Sequence, residues 1–276
     1  MYSWFTAWRD ASRNDSLLHA IPQLSSSSLA SSAADEFRRA GCLRLSEILP
    51  SETVDELRIA YLDRYGDYLT GDELQNALQV GHRRHMITVE LEAPFLNHQL
   101  YANPFILPVL RQLLGDDLVL GSFASVTSLP GAKMQGLHRD TTTLFDANLD
   151  RMLPTYAITL FIPLREFNET NGTTRLLLGS HVKLQKEGEK CQAVEPVVPL
   201  GGALLLDYRL LHQGTANRSN EPRPMLYFVY HRSWFKDYLN YRKQPFLKLS
   251  AANRIKIPEE HRPMFRWTEH YDAGLF

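Results

Sequence analysis

Six short apolar runs crowd into the stretch after Asp117, and nothing of helical period separates them. They are 118–129 (LVLGSFASVTSL), 156–164 (YAITLFIPL), 173–179 (TTRLLLG), 193–200 (AVEPVVPL), 202–208 (GALLLDY) and 225–231 (MLYFVYH). Gly, Pro, Asn or charged turns bound each of them, which is the signature of strands. Parallel strands need long crossover connections, commonly helices, and these runs leave no room for them. Consecutive strands of this kind close into a sandwich or barrel. The expectation is a mainly β fold with flanking helices.

Upstream the period changes to a helical one. Ser51 reads as an N-cap, with Val54, Leu57 and Tyr61 recurring on one face behind it. Asn103 and Pro104 supply a start signal, and Gly115 after Leu113 and Leu114 supplies a stop. Between these segments lies GHRRHMITVEL (81–91), whose second half alternates like a strand. The serine-rich tract LSSSSLASS (24–32) has little to bury and reads as a surface linker or mobile loop. Before it, the spacing of Trp4, Phe5 and Trp8 suggests a short docked helix. These divisions imply a single domain, 1–276. Residues 1–116 form a mainly helical N-terminal part packed on a β core at 117–235, and 236–276 are a C-terminal extension.

Composition removes several classes of function. With 44% hydrophobic and 22% charged residues, the chain is neither disordered nor a coiled coil. Lys plus Arg number 30 against 31 for Asp plus Glu, so a basic surface for nucleic acid is not expected. No apolar run approaches the ~20 residues that span a bilayer. The start, MYSWFTAWRD, lacks the basic end and apolar core of a secretory signal. Cys42 and Cys191 match no zinc spacing and read as thiols of a reducing compartment. A cytoplasmic protein with no membrane partner is expected.

The sequence has no GxxxxGK[ST], GxGxxG, GxSxG or HExxH, which disfavours the common nucleotide, serine-hydrolase and zincin chemistries. What remains is His138-Arg139-Asp140. Residues i and i+2 of an extended chain point to one side, so one imidazole and one carboxylate can reach one metal. A second HxD, His270-Tyr271-Asp272, has no strand or further ligand after it and reads as surface. His212, after the apolar run of GALLLDYRLL, offers a third ligand. Two histidines and one carboxylate suit Fe(II) with open positions, whereas closed zinc sites prefer a fourth protein ligand. The competing reading of His212 is a buried histidine satisfied by hydrogen bonds. Arg223, eleven residues on, heads the last apolar run. A guanidinium entering a β core needs an anionic partner and can grip a carboxylate with two bonds. A surface salt bridge is the rival reading, and it suits Arg218 and Arg232 better.

HRD (138–140), NGTTRLLLGSH (171–181) and GALLLDYRLLHQGTANRSNEPRPMLYF (202–228) together resemble the phytanoyl-CoA dioxygenase (PhyH) family of iron(II)- and 2-oxoglutarate-dependent oxygenases. The resemblance covers about 80–235 and implies a double-stranded β-helix, a jelly-roll of cupin-like kind. It implies that His138, Asp140 and His212 hold Fe(II), and that Arg223 binds the distal carboxylate of 2-oxoglutarate, with O2 as the second cosubstrate. It places Thr159, Gln135 and Thr127 at positions where relatives contact 2-oxoglutarate. Arg83 falls near an upstream basic cosubstrate ligand of some relatives; substrate binding and surface charge stand beside that role. Thr141, Thr143, Phe145 and Tyr227 are implied to line the substrate site, with 141–153 part of a lid. Two positions depart from the usual pattern, Phe161 and Pro163, and neither touches the metal set. Related halogenases replace the aspartate with a small residue, so Asp140 points to hydroxylation of a C–H bond in a small-molecule metabolite. A non-catalytic binding protein on the same fold, or a metal-dependent hydrolase or isomerase on a cupin-like barrel, are the alternatives.

Overall fold

Alternation along the central strands decides the architecture. In β5 (Ala157–Pro163), Ile158, Leu160 and Ile162 join one apolar cluster, while Phe161 joins another on the opposite face. In β8 (Ala203–Asp207), Ala203 and Leu205 divide from Leu204 and Leu206 in the same way. A period of two with both faces covered makes a strand at the centre of a layered fold. The computed structural model describes residues 26–70, 76–237, 240 and 245–268. Trp4, Phe5, Trp8 and the His270–Asp272 pair lie outside them.

Seven strands form the larger sheet, in the order β1-β8-β5-β10-β4-β3-β2. The others in it are β1 (Cys42–Leu45), β2 (Leu78–Gly81), β3 (Arg84–Thr88), β4 (Val119–Ser128) and β10 (Arg223–His231). All its pairings are antiparallel. A three-stranded sheet, β7-β6-β9, joins β7 (Ala193–Val194), β6 (Thr174–Leu177) and β9 (His212–Gly214). Leu176 of β6 shares a cluster with Phe161 and Met225 of the larger sheet, so the two sheets face each other. This two-sheet antiparallel packing is the expected jelly-roll core.

Helices cover the outer face of the larger sheet. Ser51–Tyr65 has Pro50 at its N-cap, with Ser51 as its first helical residue rather than the cap, and buries Val54, Leu57 and Tyr61 as its spacing predicts. Leu107–Leu114 ends at Gly115, whose N–H caps Arg111 O and whose φ of 98° suits glycine. Two regions differ from the sequence expectation. The serine-rich tract is not a loop: Ser26–Ala40 is helical, because Ala30, Ala33, Ala34 and Phe37 repeat at helical spacing and bury against the outer cluster. Two strands of the larger sheet, β1 and β2, come from before residue 117, where mainly helix was expected, while β3 falls on the strand-like run within 81–91. Among the described residues, no helix is long and apolar enough to cross a membrane.

Candidate functional site

His138 and His212 are brought together by their backbones before their side chains. The N–H of each donates to the carbonyl of the other, at 3.0 and 2.9 Å. The rings then stand 4.4 Å apart between centroids. Asp140, two residues on, is pinned by its N–H to Tyr208 O at 2.9 Å. Its Oδ1 lies 3.5 Å from His212 Nε2 and 3.9 Å from His138 Nε2. One ligand atom from each of the three lies within 4.8 Å of the others. Among the described residues this is the group of three or more His, Cys, Asp or Glu side chains able to hold a metal ion.

Both rings are oriented by what their other nitrogen meets. His138 Nδ1 lies 2.9 Å from Gly136 O, and His212 Nδ1 lies 2.9 Å from Leu210 O. A carbonyl can only accept, so Nδ1 carries the proton and Nε2 presents its lone pair beside the aspartate. Burial holds His212 below the usual imidazole value, against the pull of Asp140, and the neutral form is the one a metal binds.

A cavity of about 490 Å3 opens over these three residues. At its inner end stand two buried guanidiniums, Arg223 on β10 and Arg84 on β3. Both donate to Ser128 Oγ, Arg84 through Nε at 2.7 Å and Arg223 through Nη2 at 2.9 Å. Arg223 also lies over the Phe167 ring, 4.7 Å from its centroid. Its Nε and Nη1 are buried without a partner. Burial, with Arg84 alongside, pushes Arg223 down to about 9, and burial pushes Arg84 down to about 10. Among the described residues, no carboxylate forms an ion pair with either. An unmet buried donor costs ~1–3 kcal/mol, and an unpaired buried cation more. The cavity's inner end is therefore complementary to an anion.

The other residues singled out in the sequence fall into two groups. Gln135 and Tyr227 border the cavity. Gln135 spends both ends of its amide on the backbone, donating to Val80 O and accepting from Gly214 N at 2.9 Å. Thr159 is fully buried beside Asp140, and its hydroxyl donates to Asp140 Oδ2 at 3.0 Å; it does not border the cavity. Thr127 points to the outer face, where its hydroxyl lies 3.3 Å from Tyr61 Oη. Arg83 turns outward and donates to Pro130 O at 2.6 Å, leaving the cavity to its neighbour Arg84. Thr141, Thr143 and Phe145 are not in the cavity wall either. Their segment closes on itself: Asp146 caps Ala147–Asp150 by accepting from Asn148 and Leu149 N, and Asp150 accepts from Leu144 N. That leaves Phe145 54% exposed.

Among the cavity residues not singled out in the sequence are Arg84, Thr174 and Asn240. Arg84 follows from taking strand alternation from Met86 backwards. Thr174 lies within the NGTTR turn, two residues before Leu176 on the inward face of β6. Asn240 carries no local signal; it reaches the cavity from beyond the β core and donates to Asp140 O at 2.7 Å.

Comparison with known proteins bears on the family and the fold. The family profile described as phytanoyl-CoA dioxygenase (PhyH) matches residues 37–225, more than half of the chain. A dioxygenase of Penicillium canescens, olcK, is 27% identical over 207 residues, which are 71% of this chain and 68% of olcK. Two further fungal dioxygenases are matched over 42% and 51% of their own length. Among solved structures, the non-haem α-ketoglutarate-dependent epimerase SnoN of nogalamycin biosynthesis has a TM-score of 0.59 at 18% identity, over 75% of this chain and 82% of SnoN. HygX of Streptomyces hygroscopicus, with nickel, 2-oxoglutarate and hygromycin B bound, has a TM-score of 0.58 at 17% identity, over 78% and 95%. At such identities the two structures speak for the fold, and the profile match speaks for descent. The chain belongs to the phytanoyl-CoA dioxygenase family of iron(II)- and 2-oxoglutarate-dependent oxygenases.

Proposed function

We propose that this protein hydroxylates a C–H bond of a small-molecule metabolite, using Fe(II), 2-oxoglutarate and O2. The observation that carries this reading is a juxtaposition. One cavity holds three convergent metal-ligand atoms and, at its inner end, a guanidinium with two unmet donors. That pairing fits a cosubstrate with a metal-chelating end and an anionic end, which a metal hydrolase or isomerase does not need. When bound, iron(II) and 2-oxoglutarate supply the oxidising chemistry, with succinate and carbon dioxide released.

The chain's own residues bind and orient. His138 and His212 offer Nε2, and Asp140 offers Oδ1, to one face of the ion. Arg223 holds the far carboxylate of the cosubstrate through the donors that are otherwise unmet, and Arg84 adds a second positive charge. Ser128 fixes both guanidiniums by accepting from each. Phe161, Val126 and Met225 give the cavity an apolar wall that excludes water. Its size lies within the range of small-molecule sites, and its wall suits a substrate with an apolar body. We place the activity in the cytoplasm.

The test is anaerobic. Protein given Fe(II) and 2-oxoglutarate is expected to develop a visible charge-transfer band, and Asp140→Ala to lose it. A wild-type protein that shows no band would overturn the assignment. Products of aerobic turnover with candidate metabolites, followed by mass, separate hydroxylation (a gain of one oxygen) from epimerisation (no change in mass).

A further inference from the structure

Asp140 gives its two carboxylate oxygens to different neighbours. Oδ1 faces the imidazoles. Oδ2 accepts from Thr159 Oγ1 at 3.0 Å and from Tyr227 Oη at 3.2 Å. The two hydroxyls come from adjacent strands. Thr159 of β5 lies opposite Val229, and Tyr227 of β10 lies opposite Phe161. They are therefore diagonal neighbours on the same face of the sheet. The aspartate's main chain is held too, by Tyr208 O on its N–H and by Asn240 Nδ2 on its carbonyl.

We infer that Tyr227 and Thr159 are positioning residues for Asp140, holding Oδ2 so that the carboxylate meets the metal through Oδ1 alone. The inference rests on His138, Asp140 and His212 being the metal site. A free carboxylate can chelate a cation through both oxygens. Here a second metal contact by Oδ2 would have to replace two hydrogen bonds to an ionised acceptor, which are among the stronger kinds. The sheet supplies the geometry in advance: both donors rise from paired strands whose register is fixed by the ladder. The arrangement gives Thr159 work to do on the ligand itself, in a place where it does not border the cavity.

Cobalt(II) binding to the metal-free protein tests this without turnover. Thr159→Val and Tyr227→Phe each delete one hydroxyl while keeping most of the side chain's shape. Loss of such an outer partner typically weakens metal binding ~10–100-fold. Each variant is expected to bind cobalt about tenfold more weakly, and the double variant more weakly still. In each, the ligand-field bands of bound cobalt should shift as Oδ2 is released, and Thr159→Ser should restore both affinity and spectrum. Variants that bind cobalt with wild-type affinity and wild-type bands would overturn the inference. Asp140→Ala keeps that failure distinct: if it binds cobalt as tightly as wild type, the metal site itself has been misassigned.

Discussion

The two faces of the seven-stranded sheet are made from the same strands and are chemically opposite. On the outer face, Phe123 and Phe228 stack with centroids 4.4 Å apart, among Leu160, Leu205 and Leu226. Two polar residues there, Ser125 and Thr127, share the hydroxyl of Tyr61. On the inner face, one residue along, stand Arg84, Ser128, Thr159, Arg223 and Tyr227. There a buried guanidinium keeps two nitrogens without a partner. The hydroxyls of the outer face find protein partners, although His85 beside Thr127 keeps both ring nitrogens buried without one. On the inner face the nitrogens that lack a partner belong to a buried cation bordering the cavity. The pleat separates stability from chemistry by a single position, so register assigns each residue its role.

The strongest attempt to break that division goes through the histidine pair. His138→Ala is expected to abolish iron-dependent succinate formation while leaving the unfolding midpoint of the metal-free protein close to wild type. Retained turnover would remove His138 from the metal set. The opposite change is Phe228→Ala on the outer face. It should cost about 3–5 kcal/mol of stability in urea titration, as other buried Phe→Ala changes do. The 2-oxoglutarate affinity of the folded fraction should stay within about twofold, well under 1 kcal/mol. A large loss of affinity there would mean that the two faces are coupled. Arg223→Ala comes next. Truncating one partner of a buried charge pair costs about 2–5 kcal/mol, so 2-oxoglutarate should bind on the order of 100-fold more weakly, in the lower half of that range. Unchanged binding in calorimetry would take Arg223 out of the cosubstrate site.

How much of this could be read from the sequence depended on where each element gets its order. Strands β4, β5, β8 and β10 announce themselves, because each carries enough apolar residues to show its own pattern. β9 is three residues, His212–Gly214, with no apolar alternation of its own. It exists because His212 pairs with Leu176 and Gln213 with Arg175. β1 likewise depends on β8 for its definition. The serine-rich helix misled in the other direction, since its alanines only matter once a partner surface is present. In the site, the i, i+2 pair pointed to His138 and Asp140, and the family resemblance chose His212 as the third member of the group that converges here. Asn240 was not legible, because it reaches the cavity only through tertiary packing.

Arg83 and Arg84 show the limit most clearly, and they carry the smallest expected effects. Composition cannot choose between neighbouring arginines in GHRRH. The backbone does: Arg83 sits in the left-handed region at φ 51°, and the ladder slips between Gln79 and Gly81. The turn therefore ends at Arg83, and Arg84 opens β3 opposite Ser128, facing inward. Arg84→Gln keeps a polar stem but removes one of two cations at the inner end. It should weaken 2-oxoglutarate binding about tenfold, or ~1.4 kcal/mol. Arg83→Ala removes an exposed side chain whose hydrogen bond goes to Pro130 O. It should change neither stability nor 2-oxoglutarate affinity by more than about 0.5 kcal/mol. If calorimetry instead shows Arg83→Ala losing affinity and Arg84→Gln keeping it, the turn is one residue out of place, and with it the inward set of β3.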